Sequence, residues 1–143
     1  MPPLHLPKDL NFRFPAEWQP HRATLMGWPF DHVYWEGYLE AAREDFTRLV
    51  ATIARFEPVR LALSNAEDEE DARRRLDAAN GLKNITLYKL ELDDVWFRDS
   101  APLFIRNAEG QLAATDWRFN GWGNKFRWRN DTQVPKKLAE KFE

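Results

Sequence analysis

The chain has 143 residues, 43% hydrophobic and 31% charged, with a formal net charge of −2. This is the size of one domain and a composition that is globular and not disordered. The mixed charge, free of any basic cluster, argues against nucleic acid and an anionic membrane surface as partners, and no run approaches the ~18 apolar residues of a membrane span.

Cysteine is absent. Disulfides, thiolate metal sites and thiol nucleophiles are therefore excluded within these residues. The three histidines, His5, His21 and His32, lack ligand spacing. Seven tryptophans, at 18, 28, 35, 96, 117, 122 and 128, exceed what a core of this size needs. Aromatic walls around a ligand are the alternative use.

Residues 1–20 hold five of the nine prolines and read as an extended lead-in. They lack the apolar run of a signal peptide, so a cytoplasmic protein is expected. RATLMGW, 22–28, is a short apolar run ended by Pro29, which predicts a buried strand. From Trp35 to Phe56 the apolar residues fall at 35, 38, 39, 42, 46, 49, 50 and 53, the period of an amphipathic helix. Glu36, Glu40, Arg43, Glu44 and Arg48 occupy its predicted wet side. Pro58 stops the helix, and VRLALS, 59–64, predicts a strand with Val59, Leu61 and Leu63 on one face.

NAEDEEDARRRLDAANG, 65–81, predicts a charged surface helix. Ser64 or Asn65 caps it, acids fill its first turn and Asn80-Gly81 stops it. Its charges complement the helix dipole and each other, and need bind nothing. ITLYKLEL, 85–92, is a further strand, leading into DDVWFRDSAP. APLFIRN and QLAATDWRF predict a hairpin around Asn107–Gly110, FNGWGN a loop, and VPKKLAEKFE a final helix with Val134, Leu138 and Phe142 in line. That helix ends without a cap, so the chain reads as a single incomplete domain, 1–143, stopping inside its fold. Strands alternating with helices, plus a hairpin, predict an α/β fold with mixed sheets. No GxGxxG follows the first strand and no GxxxxGK[ST] occurs, which weakens any phosphate-binding reading.

DDVWFRDSAP, 93–102, is the candidate site. It lies past a strand end, where open α/β folds place ligands. A metal fits poorly there, because no histidine is near and Trp96 crowds the acids; a water-ligated Mg²⁺ is the form it would tolerate. No partner for acid–base work is identifiable. Capture of a flat cation fits better: Asp99 can accept paired N–H bonds from a guanidinium, Trp96 can supply a π-face, and Arg98 is a local counter-charge. A surface turn, with Asp93 or Asp94 bonding backbone amides and Trp96 in the core, accounts for this stretch alone at least as well.

FRFPAEWQPHRATLMGWP (12–29), DDVWFRDSAPLFI (93–105) and DWRFNGWGNKF (116–126) change that balance. In this order and spacing they resemble the N-terminal part of the agmatine deiminase and bacterial-type peptidylarginine deiminase family. The resemblance runs from about Phe12 to Phe126 and covers less than half of a typical member. It implies the N-terminal portion of a pentein-type α/β propeller, built of repeated ββαβ units about a pseudo-fivefold axis. It also implies hydrolytic deimination: a cysteine thiolate attacks the guanidinium carbon, ammonia leaves, and water releases a ureido product. Agmatine would give N-carbamoylputrescine; arginine or peptidyl-arginine would give citrulline.

By resemblance, Asp99 and Trp96 bind the substrate guanidinium. Trp117, Asn120, Trp122 and Gly123 match a motif at the pocket mouth, with Asp93 and Asp94 nearby. Asn124 stands where a second glycine is expected. Trp18, His21, Trp28 and Pro29 match the opening motif, with structural roles, His21 as a packed, hydrogen-bonded residue. The family's catalytic histidine and cysteine belong to motifs absent from these residues, and Ser100, without a base or a GxSxG elbow, is a poor nucleophile. No catalytic residue, metal or cofactor is expected within the chain. The expected partner is a small cationic guanidino compound or an arginine side chain. The resemblance also suggests a homodimer, though no residue marks its interface. Two other readings are a short non-catalytic module binding a cationic ligand and a related guanidino-modifying hydrolase or amidinotransferase. A nucleic-acid module fits the charge balance worst.

Overall fold

The computed structural model describes residues 7–30 and 33–141. His5, His32 and Phe142, which enter the sequence reading, lie outside the described residues. Strands β1 (Thr24–Gly27), β2 (Val59–Leu63) and β3 (Ile85–Lys89) form a parallel sheet in the order β1-β2-β3. Thr24 pairs with Val59, and Val59 with Ile85. Parallel neighbours need long crossovers. Helices α1 (Leu39–Ile53) and α2 (Ala66–Asn80) supply them.

Both faces of the central strand are covered. Val59, Leu61 and Leu63 pack with Trp28, Val50, Ala72 and Leu76. Ala62 belongs to a second cluster with Tyr88, Leu90, Leu92, Phe97, Val134 and Leu138. Burial on both sides explains why VRLAL is apolar at four of five positions instead of alternating. Val134 and Leu138 belong to the C-terminal helix Val134–Lys141.

β4 (Leu103–Arg106) and β5 (Leu112–Thr115) form the expected antiparallel hairpin. Asn107 closes its turn by accepting from the Gln111 amide at 2.8 Å, and Gly110 takes a φ of 83°. Parallel and antiparallel pairing are both present, segregated into two sheets. Among the described residues no helix is long and apolar enough to cross a membrane.

Three local expectations need correction. The lead-in is not wholly extended: Pro7–Leu10 is a 3₁₀ turn, and Arg13 then bridges to Arg106 beside the hairpin. The first long helix begins at Leu39, not Trp35, because Gly37 has a φ of 73° and Tyr38 contributes no capping side chain. Finally, Arg43 is buried and not on a wet face. Its guanidinium bonds Asp68 at 2.5 Å and Asp71 at 3.2 Å, and its Nε donates to the Pro29 carbonyl at 2.9 Å. Arg75 joins Asp71 to Glu40. The charges of α2 therefore fasten it to α1. Its ends match the sequence reading: Asn65 caps the Asp68 amide at 2.9 Å and Gly81 is left-handed at φ 64°.

Candidate functional site

β3 stops at Lys89, but Leu90 and Leu92 still point into the core. They pin the start of the acidic-aromatic stretch. It passes so close to β1 that a Cβ on Gly27 would lie 3.2 Å from the Val95 Cα. The chain then makes a single helical turn, α3 (Phe97–Ser100). Phe97 and Ser100 face inward; the Ser100 hydroxyl donates to the Trp96 carbonyl at 3.1 Å. With those two positions buried, Trp96, Arg98 and Asp99 remain exposed. Trp96 is 52% exposed, so it is not a core residue. Trp96 immediately precedes this turn and Asp99 lies within it, its amide donating to the Trp96 carbonyl at 3.0 Å. Arg98 pairs with Glu17 at 3.4 Å.

The four acids near this turn divide into two kinds. Asp99 is exposed. Asp93 accepts from the Asn130 amide at 2.6 Å and from its side-chain Nδ2 at 3.1 Å. Asp94 is buried and accepts from the Val95 amide at 2.7 Å. The backbone bonds that the surface-turn reading gave to Asp93 or Asp94 are present, whereas Trp96, which that reading put in the core, is exposed. The fourth acid is Asp131, which sequence reasoning missed. It is 2% exposed, and its Oδ1 accepts from the amides of Asp93 and Asp94 at 2.8 and 3.3 Å. Asp93 and Asp131 thereby clamp two segments together, each carboxylate serving the other segment's backbone. Burial pushes the Asp131 carboxyl up to about 6; the two amide bonds oppose the rise, and the charges of Asp93 and Asp94 add to it. Among the described residues no cluster of His, Cys, Asp or Glu is arranged to hold a metal ion.

FNGWGN is more ordered than a loop. Gly121, Trp122, Gly123 and Asn124 have φ of 62°, 53°, 81° and 64°, and the Asn124 amide donates to the Asn120 carbonyl at 2.8 Å. Four successive positive φ values make a left-handed turn, a conformation that costs an L-residue ~1–2 kcal/mol. Glycine is required at 121, where a Cβ would lie 2.5 Å from the Phe126 carbonyl oxygen. At 124 asparagine tolerates the same backbone and adds a bond, accepting from Trp128 Nε1 at 2.9 Å. The expected second glycine is therefore dispensable. Asn120 accepts from the Gly123 amide at 2.9 Å.

This turn brings Trp122 to Asp99. The indole N–H donates to Asp99 Oδ1 at 3.2 Å, and the ring meets Phe119 and Phe126 edge-on, at 5.1 and 5.6 Å between centroids. Trp117 bonds Thr115 at 2.7 Å and no bond joins it to the Asp99 group among the described contacts. In the opening motif Trp28 and Pro29 are buried, as a structural role requires. His21 is hydrogen-bonded to Glu57 at 3.2 Å and to the Glu17 carbonyl at 2.8 Å, though exposed and not packed. Trp18, expected to be structural, is 89% exposed.

The α/β scaffold thus carries an exposed aromatic residue, Trp96, and an exposed carboxylate, Asp99, just past one strand end. The sequence profile of the Porphyromonas-type peptidyl-arginine deiminases matches residues 13–143. The chain belongs to that family. It is 38% identical to the agmatine deiminase of Pseudomonas aeruginosa (strain LESB58), covering 96% of this chain and 38% of the relative. The structure of Enterococcus faecalis agmatine deiminase superposes with a TM-score of 0.84 at 32% identity, over 94% of this chain and 36% of that one. A C. jejuni agmatine deiminase with substrate bound gives 0.79 at 27%, over 92% and 37%. The chain thus spans less than two fifths of the length of these relatives.

Proposed function

We propose that these residues form the opening part of a guanidino-group deiminase and supply part of its guanidinium pocket. The observation that carries this reading is the exposed pair at α3, Trp96 just before the turn and Asp99 within it. The carboxylate accepts two N–H bonds from the cation and the ring covers its flat face. Agmatine would yield N-carbamoylputrescine and ammonia; arginine or peptidyl-arginine would yield citrulline and ammonia. The thiol that attacks the guanidinium carbon, and the histidine that moves its proton, would lie outside these 143 residues, which contain no cysteine. The complete fold would be a pentein-type propeller. Family membership and the names of the relatives support the reaction class.

Because Asp99 is exposed here, solvent screens its pairing, and the chain alone should hold agmatine only at millimolar strength. A closed pocket would raise the cost of losing the acid to ~2–5 kcal/mol. Asp99→Ala is expected to abolish the agmatine-induced shifts of the Trp96 and Trp122 indole N–H resonances. Undiminished shifts in that variant would defeat the reading.

A further inference from the structure

A simple chain reversal at 121–124 would be served best by glycine or asparagine throughout, since both reach positive φ at little cost. Three of the four positions obey that rule, and Trp122 breaks it. The bulky residue there directs its indole N–H to Asp99, at 3.2 Å from Oδ1. Three further features hold it there. Gly121 lets the Phe126 carbonyl and Trp128 pack against the turn, Asn120 fastens the Gly123 amide, and Phe119 and Phe126 flank the indole edge-on. A ring needed only to fill space would not need its polar edge turned to a carboxylate 23 residues away in sequence.

We propose that Trp122 is a positioning residue for Asp99, and that the left-handed turn exists to present its indole N–H. This rests on the reading of Asp99 as the guanidinium acceptor. A carboxylate has about four lone-pair sites on two oxygens. The indole takes one on Oδ1, which fixes the rotation of the group. A second site on Oδ1 and both on Oδ2 remain for two parallel N–H bonds from a guanidinium lying against Trp96. The bond also selects among cations: with the plane of the carboxylate fixed, a forked, planar donor is matched and a point-charge ammonium is not.

The test uses the 143-residue chain and agmatine, followed through ¹⁵N-labelled indole resonances. Trp122→Phe keeps an aromatic ring for the edge-on contacts and removes only the N–H. Its missing signal assigns the Trp122 resonance. The variant should bind agmatine roughly threefold to tenfold more weakly, the range set by one modest hydrogen bond, while its preference over putrescine falls. In the unmutated turn, Asp99→Asn should move the Trp122 indole N–H signal; Asp99 is exposed, so this variant carries little risk to the fold. Unchanged affinity in Trp122→Phe, with binding abolished in Asp99→Ala, would leave the guanidinium pocket standing and overturn the role of Trp122. An indole signal indifferent to Asp99→Asn would overturn it too, even if Trp122→Phe failed to fold. Unchanged binding in Asp99→Ala would remove both.

Discussion

Asp131 offers a test in which burial and hydrogen bonding pull in opposite directions. Its carboxylate sits at 2% exposure and serves two backbone amides. Burial raises its pKa from the ordinary 3.8 to about 6. At about 1.4 kcal/mol for each tenfold change in proton affinity, ionised Asp131 costs the fold ~3 kcal/mol. The sign follows from which state holds the proton. The folded chain binds it more tightly, so this group's contribution is complete below pH ~4 and is lost as pH rises through about 6. Asp131→Asn keeps an acceptor for both amides and removes the charge. Its stability relative to the parent should therefore be near zero at pH 4 and rise to about +3 kcal/mol at pH 7. Asp131→Ala also removes the charge but strands two amides at ~1–3 kcal/mol each, so it should be less stable than Asp131→Asn by ~2–6 kcal/mol at both pH values. Urea unfolding of parent and variants between pH 4 and 7 measures this, and taking the difference cancels the titrating groups that do not interact with Asp131. An Asn variant less stable than the parent at pH 7, or a difference flat with pH, would refute the reasoning.

Two further outcomes follow from the same packing. Arg43→Ala should cost ~3–5 kcal/mol in urea unfolding, because it leaves the buried Asp68 carboxylate without its cation. Gly121→Ala adds a Cβ 2.5 Å from a backbone oxygen at a φ of 62°. It should displace the left-handed turn and shift the Trp122 indole resonance while leaving the amide signals of the parallel sheet in place.

What could be read from the sequence was local. The caps of α2, Asn65 and Gly81, act within a few residues of themselves and were legible. So was the apolar run of β2, and so was the strangeness of placing Trp96 among acids. Periodicity overran the start of α1 because it counts Trp35 and Tyr38 as apolar without weighing the backbone at Gly37. It put Arg43 on the wet side because periodicity cannot see Asp68 on a different helix. The division of labour among the acids was hidden for the same reason. Asp93 and Asp131 meet across 38 residues, and Trp122 and Asp99 across 23. The resemblance singled out Trp122 and Gly123 without roles; a tryptophan between two glycines, next to an asparagine, was the signal that a special backbone lay there.

The clamp between Asp93 and Asp131 has a consequence for how the chain breathes. The amides of Asp93 and Asp94 are held by one carboxylate, and the amide of Asn130 by the other. Breaking either set frees the segment that carries the acceptor for the other. Hydrogen exchange at these three amides should therefore occur in a single opening step with one shared protection factor, although they come from segments far apart in sequence. The hairpin and the left-handed turn lie between those segments. That shared rate would report, without any ligand, how often the strand-end loop and the terminal helix part company.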